Sequence, residues 1–445
     1  MKTEKNENNL LKKIKEKQIT IGVIGIGYVG LPLALEYAKK GIRTIGFDVD
    51  KTKIKQLNNG KNYNQDLDSK EVKKCVSEKF LSATDDFSRL EECNVVFICV
   101  PTPFTPNKEP DISYIIDSSN TIAKYLKKEQ LIILKSTTFP GTTEKYLKPI
   151  LEKSGLKVGK DFYLAFSPER IDPGNKKWNT SNTPVVVGGI TKKCTELACA
   201  VISLAIDKVV PVSSPSIAEM EKLLENIFRS VNIALVNELA QLGDRIGVNI
   251  WEVIDAASTK PFGFIPFYPG PGIGGHCILI DPYYLAWMAR EYDFVTNFIT
   301  LAAEINEYMP FYVRNMIISE IAKQDTTIKK AKILILGVAF KKDVDDLRHS
   351  PALKVAELLQ DENIGKISYY DPYIPEIKVN SKIYKSEKQL NQELLKKFDV
   401  VVITTDHSVF DFGLIAKNSK VVIDTRNACK NVKNRNNIIL LGDGK

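Results

Sequence analysis

A single cysteine, Cys277, follows a backbone almost stripped of side chains, Pro269-Gly270-Pro271-Gly272-Ile273-Gly274-Gly275-His276. Glycine reaches positive φ and lets a chain pass close to a ligand. Such a loop holds a thiol at a cavity rim with room for substrate beside it. As the thiolate, that sulfur attacks an electrophilic carbon; the other reading of a lone cysteine is a small buried apolar group. His276 is adjacent, and neighbouring side chains usually diverge, so it reads as a structural or shape-setting residue. Asp281 lies four residues beyond the cysteine. It either holds a water or base near the sulfur or caps a helix opening at Pro282, and one residue can do both. Lys222 and Asn226 are also four apart, on one face of a helix. Buried and aimed at one point, ammonium and amide stabilise an oxyanion; on spacing alone, beside Glu219, Glu221 and Glu225, the solvated-face reading is the favoured one.

A second constellation stands upstream. Gly25-Ile26-Gly27-Tyr28-Val29-Gly30 follows an apolar run and opens a helical pattern. There the glycines give a tight turn, and the helix N-terminus faces a pyrophosphate. Asp48 ends the next strand, 18 residues after Gly30. Its carboxylate accepts from ribose hydroxyls and repels a 2′-phosphate, which favours NAD over NADP. Ser136-Thr137-Thr138 and Phe166-Ser167-Pro168-Glu169-Arg170 fall at strand carboxyl ends, where open α/β sheets bind ligands; otherwise they are turn residues. Phe340-Lys341-Lys342-Asp343, Arg348 and Arg426 follow later strands, where basic groups hold phosphates or form surface charge. A nicotinamide site with a positioned thiol points to oxidation through a thioester.

These groups need elements to position them. Val- and Ile-rich runs predict strands at 20–25, 44–47, 95–100, 131–134, 163–166 and 185–187, with helical patterns at 31–39 and 114–126. Alternation of this kind predicts a parallel sheet. From 216 to 246 apolar residues such as Leu223, Leu224, Ile227, Val231, Ala234, Leu235 and Leu239 recur every three or four positions, a long helix opened by Ser214-Pro215-Ser216. Further helices are expected at 250–257, 282–291 and 297–309. Strands at 332–337, 366–370, 400–404 and 420–423, with helices at 352–361 and 388–397, complete a second α/β region. The expected organisation is a flexible extension over 1–18, a Rossmann domain over 19–212, a helical domain over 213–315 and a second Rossmann-like domain over 316–445.

The composition is that of a globular chain of 445 residues, 44% hydrophobic and 26% charged. A net charge of +8, from 62 basic and 54 acidic residues, is spread along the chain. It argues against nucleic-acid binding and suits an anionic nucleotide. Seven cysteines without a C-x-x-C pair, and three histidines, predict neither a disulfide framework nor a metal site. A reducing cytoplasm fits this usage. The first 17 residues have no apolar core of a signal peptide, and no apolar run is long enough to span a membrane.

Together these residues resemble the UDP-glucose/GDP-mannose dehydrogenase family. The resemblance runs from about Gln18 onward through Gly25-x-Gly27-x-x-Gly30, Val100-Pro101-Thr102-Pro103, Lys135-Ser136-Thr137, Ser167-Pro168-Glu169, Lys222-x-x-x-Asn226, Gly274-Gly275-His276-Cys277, Phe340-Lys341 and Arg426. It implies an α/β fold with an N-terminal NAD domain, a central helical region through which a homodimer forms, and a C-terminal UDP domain. The implied reaction converts a sugar C6 alcohol to a carboxylate and reduces two NAD. Cys277 would carry the thiohemiacetal and thioester, while Lys222 and Asn226 stabilise the C6 oxygen anion. Asp281 and Thr137 would place water, and Glu169 would take part in proton transfer. The implied cofactor positions are Gly25, Gly27, Tyr28, Val29, Gly30, Asp48, Thr102 and Arg348. The sugar nucleotide would meet Glu169, Arg170, Lys222 and Asn226, and also Tyr268, Gly274, Phe340, Lys341 and Arg426.

Three stretches are similar to the UDP-N-acetylglucosamine branch: Ser167 to Arg170, Asp172-Pro173-Gly174-Asn175, and Lys260-Pro261-Phe262-Gly263-Phe264 leading to Phe267-Tyr268. UDP-glucose and UDP-N-acetylmannosamine are the alternatives; their enzymes usually carry an arginine before the glycine loop, where this chain has an aromatic residue whose flat apolar wall suits an acetamido group. Leu279 stands where the family commonly has proline. A nucleotide-sugar sensor without activity would not need thiol, lysine, asparagine and aspartate together. A β-hydroxyacid dehydrogenase shares the first domain's pattern, needs no thiol loop and makes one NADH per turnover.

Overall fold

The computed structural model describes residues 9–64, 67–105, 107–171, 175, 177–275 and 277–445, the Cys277 side chain excepted. Two compact units divide the chain, Met1–Glu225 and Asn226–Lys445.

The first unit is built on an eight-stranded sheet. Its strands are β1 (Thr20–Ile24), β2 (Arg43–Phe47), β3 (Leu81–Thr84), β4 (Val95–Ile98), β5 (Leu131–Leu134), β6 (Tyr163–Phe166), β7 (Val185–Gly189) and β8 (Val209–Val212). Their order is β3-β2-β1-β4-β5-β6-β7-β8, parallel throughout except between β6 and β7. The strands read as continuous apolar runs because both faces are covered. Alternate residues feed separate cores: Leu131 and Ile133 enter one, Ile132 and Leu134 the other. Strand order reverses between β1 and β4, so the carboxyl ends of those two strands flank the place where such sheets take a ligand.

Sequence patterning did not identify β3 and β8. The first shows only Leu81 and Ala83 buried, and the second is an edge strand containing Pro211, a residue tolerated there. Within the segment expected to be a flexible extension, Asn9–Lys15 is a helix. Leu10 and Ile14, one turn apart, are buried in the first core.

The second unit holds a five-stranded sheet and most of the long helices. Its strands are β9 (Lys332–Leu336), β10 (Lys366–Tyr370), a hairpin of β11 (Glu376–Val379) and β12 (Lys382–Lys385), then β13 (Val400–Ile403), β14 (Val422–Asp424) and β15 (Ile438–Leu440). The sheet is fully parallel in the order β10-β9-β13-β14-β15. Met309, Val313, Ile317 and Ile321 of the helix Asn297–Ala322 share one core with Ile333 and Ile335 of β9. The helical segment and the last sheet therefore fold around common apolar surface.

The long helix spans Pro215–Ile246. Two later helices differ from the periodicity. One opens at Cys277 and contains Pro282; the other runs through Pro310 to Ala322. Each proline removes one backbone donor, yet burial of Met309, Val313, Ile317 and Ile321 carries the second helix on. The helix expected over 388–397 contracts to Gln392–Leu395, because Asn391 accepts from the Leu394 N–H and caps it there.

Candidate active site

In the first unit the glycine turn leaves β1 at Gly25, whose φ is +86°. A Cβ there would stand 2.6 Å from the Cys99 carbonyl oxygen, and one at Gly30 would stand 1.9 Å from the Gly25 oxygen. Both positions require glycine for packing. Gly27 differs, since a Cβ would meet nothing within 4 Å. That free space beside bare backbone is where a pyrophosphate can approach. The helix Gly30–Lys39 has Val29 at its N-cap and no side-chain cap; the Leu31 N–H is taken by the Gly27 carbonyl at 3.1 Å and Pro32 has none, so the Gly30 N–H is the donor this helix end offers an anion. The Asp48 carboxylate accepts from the Ile26 N–H at 3.1 Å and the Asp50 N–H at 2.9 Å. The Tyr63 hydroxyl donates to the Ile26 carbonyl at 2.7 Å. Tyr28 is exposed beside the turn, and Thr102, beyond β4, is buried. These residues fit a dinucleotide: a fixed turn, an open cradle and an acid at the second strand's end.

The ends of β4, β5 and β6 are tied together. Lys135 is buried, pairs with Glu169 Oε2 at 3.2 Å and donates to the Pro168 carbonyl at 3.3 Å. The Ser136 hydroxyl donates to the Val100 carbonyl at 2.7 Å. Glu169 Oε1 accepts from the N–H groups of Arg170 and Ile171, each at 2.9 Å. Thr137, between these anchors, is half-buried. Arg170 donates to the Pro184 carbonyl at 2.9 Å and binds Glu225 at 2.9 Å and Glu221. Burial and the adjacent Glu225 raise the Glu221 carboxyl above its ordinary range.

The acids around Lys222 are therefore committed elsewhere, with Glu219 buried and bonded to backbone. Lys222 itself is only 7% exposed and makes no ion pair or hydrogen bond with another described residue. The solvated-face reading does not hold. Lys222 is thus sheltered by its surroundings while the neighbouring acids bind other groups.

In the second unit Asn226, one turn beyond Lys222 on the same helix, is fully buried. Its Nδ2 donates to Asp281 Oδ2 at 2.5 Å, and its Oδ1 accepts from Arg229. Asp281 is not an N-cap, because the helix begins at Cys277. Positions 277 and 281 are one turn apart in its first turns. Asp172-Pro173-Gly174 and His276 lie outside the described residues, as does the Cys277 side chain.

The glycine loop before position 277 is packed from several sides. The Gly270 N–H donates to Asn237 Oδ1 at 2.9 Å. A Cβ at Gly270 would stand 2.7 Å from the Arg426 guanidinium. One at Gly274 would stand 2.6 Å from the Phe340 Cβ. Gly275 has φ +81° and would press its Cβ to 2.9 Å from the Phe340 ring. Its N–H donates to the Arg348 carbonyl at 2.8 Å. Phe340, Gly274 and Arg426 are thus brought together around this loop, with Lys341 half-buried next to Phe340. Arg426 Nε donates to the Thr404 carbonyl at 2.9 Å. Arg348 directs its guanidinium to Asp346 at 2.6–3.0 Å. Tyr268 is engaged separately: its hydroxyl donates to Asp255 at 2.8 Å and its ring stacks on Trp251.

Sequence reading missed the residues that hold the loop to the helices. Asn237 Nδ2 donates to Asn306 Oδ1 at 2.9 Å, and Asn306 Nδ2 donates to the Ser230 carbonyl at 3.0 Å. The available signal was Asn226, Ser230 and Asn237 recurring at spacings normally apolar, all of them buried.

Known proteins share the domain order of this chain. The family's NAD-binding, central and UDP-binding domain models match residues 19–204, 216–308 and 334–431. A UDP-N-acetyl-D-glucosamine 6-dehydrogenase of Pseudomonas aeruginosa is 38% identical over 80% of this chain and 84% of its own length. A UDP-N-acetyl-D-mannosamine dehydrogenase of Pyrococcus horikoshii is 36% identical over 92% of this chain and 96% of its own. A solved structure of a UDP-D-ManNAc dehydrogenase from Pyrococcus horikoshii superposes with a TM-score of 0.87 at 34% identity, covering 96% of this chain and 100% of the other. Matched in all three of its domains, the chain belongs to the UDP-glucose/GDP-mannose dehydrogenase family and is an NAD-dependent nucleotide-sugar dehydrogenase.

Proposed function

We propose that this chain oxidises the C6 hydroxyl of UDP-N-acetylglucosamine to the carboxylate through a thioester on Cys277. The observation that carries this is Lys222, buried and without a partner among the described residues, one turn from the buried Asn226. An ammonium and a carboxamide so placed hold the C6 oxygen while charge develops on it. NAD held at the glycine turn by Gly25, Gly27 and Gly30 would supply the hydride acceptor for each of two oxidations. Between them the Cys277 sulfur adds to the C6 aldehyde, and the aldehyde oxygen takes a proton to give a thiohemiacetal. Loss of the second hydride and of the hydroxyl proton gives the thioester. Water adds to that carbonyl carbon, the C–S bond breaks, and the thiolate returns.

Position 277 opens a helix, where the macrodipole favours the negative sulfur. Asp281 accepts from Asn226 at 2.5 Å; the family resemblance gives Asp281, and separately Thr137, a part in placing water. Glu169, paired with Lys135, takes part in moving protons. Gly25, Gly27, Tyr28, Val29, Gly30, Asp48, Thr102 and Arg348 serve the cofactor. Phe340, Lys341, Arg426, Gly274, Tyr268 and Arg170 serve the sugar nucleotide.

The aromatic stretch Phe262 to Tyr268, with Phe262, Phe264 and Tyr268 exposed, offers flat apolar surface to an acetamido group. The product would be an N-acetylated uronic acid for surface polysaccharide, made in the cytoplasm by a homodimer joined through the long helix. UDP-N-acetylmannosamine is the second reading, since relatives named for either sugar match at 38% and 36% identity.

The test is NADH formed per sugar with UDP-N-acetylglucosamine, UDP-N-acetylmannosamine and UDP-glucose. Two NADH per UDP-N-acetylglucosamine at the highest kcat/KM is expected. Equal or greater turnover of either other donor overturns the sugar assignment. Cys277→Ser should lower four-electron oxidation by about 1,000-fold or more; unaltered activity would remove the thioester.

A further inference from the structure

The mechanism above gives no task to Glu219, the buried acid nearest in sequence to Lys222. Glu219 is fully buried in the first unit, three residues before Lys222. Its Oε2 accepts from the Gly141 N–H at 2.6 Å. Its Oε1 accepts from the Thr143 N–H at 2.9 Å and the Thr143 hydroxyl at 2.7 Å. Gly141 and Thr143 belong to the loop that continues from Ser136 and Thr137 after β5. Inside that loop the Thr138 and Thr142 hydroxyls are 2.7 Å apart, and the Thr142 hydroxyl lies 2.7 Å from the Phe139 carbonyl. The helical turn Thr143–Leu147 has no cap of its own, since Thr142 makes no capping hydrogen bond. Glu219 supplies that cap from another element. A buried carboxylate is a demanding way to fasten a loop. Three donors converging on it fix position more tightly than a neutral contact would.

We propose that Glu219 is a positioning residue, locking the loop that carries Thr137 in register with the helix turn that carries Lys222. This rests on the roles given above to Lys222 and Thr137. Glu219 acts on the oxidation and hydrolysis steps through those two residues and not on cofactor affinity, because its hydrogen bonds go to Gly141 and Thr143 and not to the glycine turn of Gly25 to Gly30.

Glu219→Gln keeps the volume and replaces one acceptor with an amide nitrogen that faces an N–H. We expect kcat to fall by about 10- to 100-fold while KM for NAD stays within about 3-fold. In a Lys222→Ala background the same change should lower kcat by less than about 3-fold further, because the two residues act as one unit. Should Glu219→Gln fail to fold, Thr143→Val removes only the hydroxyl donor and is read the same way, with an expected loss of about 3- to 10-fold in kcat. Unchanged kcat in the folded variant, or a rise in KM for NAD alone, overturns the positioning role while leaving the reading of Lys222 intact. Full activity of Lys222→Ala overturns both.

Discussion

At the scale of single residues, glycines separate structural from functional need. Gly25 and Gly30 cannot take a Cβ without meeting backbone, whereas Gly27 has open space beside it. Gly27→Ala should therefore leave thermal stability almost unaltered and raise KM for NAD by about 10-fold or more. Gly25→Ala, at positive φ, should cost about 1–3 kcal/mol of stability in thermal or denaturant unfolding. Asp48→Asn removes the charge that opposes a 2′-phosphate, and the preference for NAD over NADP should shrink by about 10-fold in steady-state kinetics. These residues were legible in the sequence because spacing alone defines the turn. Glu219 was not, since it is one acid among several until its three donors are seen. Burial is the main cause that pushes its carboxyl up to about 7, with Glu144 adding to the rise. A carboxyl raised in the fold contributes stability that is full below its ordinary range of about 4.5 and lost as pH climbs through about 7. The wild type should lose up to about 3 kcal/mol relative to Glu219→Gln across that window in urea unfolding. A constant difference from pH 4 to pH 8 would contradict it.

At the scale of elements, both sheets use one device. β1 ends in Gly25 at φ +86°, β9 in Gly337 at φ +78°. Their added Cβ atoms would meet the Cys99 and Thr405 carbonyl oxygens at 2.6 and 2.5 Å. In each sheet the neighbouring strand ends in an aspartate that accepts from the backbone after the glycine: Asp48 from Ile26 at 3.1 Å, Asp371 from Val338 at 2.7 Å. In the second sheet His407, fully buried, accepts from the Asp343 N–H at 3.0 Å on Nδ1, so its Nε2–H faces Asp371 at 3.1 Å. Ten of the strands were readable because buried parallel strands are unbroken Val and Ile runs; β3, β8, β11, β12 and β15 lack such runs or are too short to show one. The helices at 282–291 and 297–309 were expected, but their ends at Cys277 and beyond Pro310 were not, because a proline usually marks a boundary and tertiary burial overrode it here. Gly275→Ala, at φ +81° and 2.9 Å from the Phe340 ring, should displace position 277. We expect a loss of kcat of about 10-fold or more at unchanged KM for NAD.

At the scale of the whole molecule, no helix among the described residues is long and apolar enough to cross a membrane. Ile217, Met220, Leu224, Phe228, Leu235, Leu242 and Ile246 are all exposed along the helix Pro215–Ile246. Periodicity grouped Leu224 and Leu235 with Leu223 and Ile227, yet only the latter pair is buried; the sequence pattern does not distinguish a core from an association face. If this stripe joins two chains, Leu235→Lys should shift sedimentation toward the single-chain mass. The same helix turns Lys222, Asn226, Ser230 and Asn237 inward, so its polar groups are sheltered while aliphatic ones meet water. Leu223, Ile227, Val236 and Ala240 pack inward beside them, while the exposed aliphatic side chains gain dispersion contacts only from a neighbouring chain. Specific activity would then fall on dilution to nanomolar enzyme and return on concentration, linking turnover to how crowded the chains are.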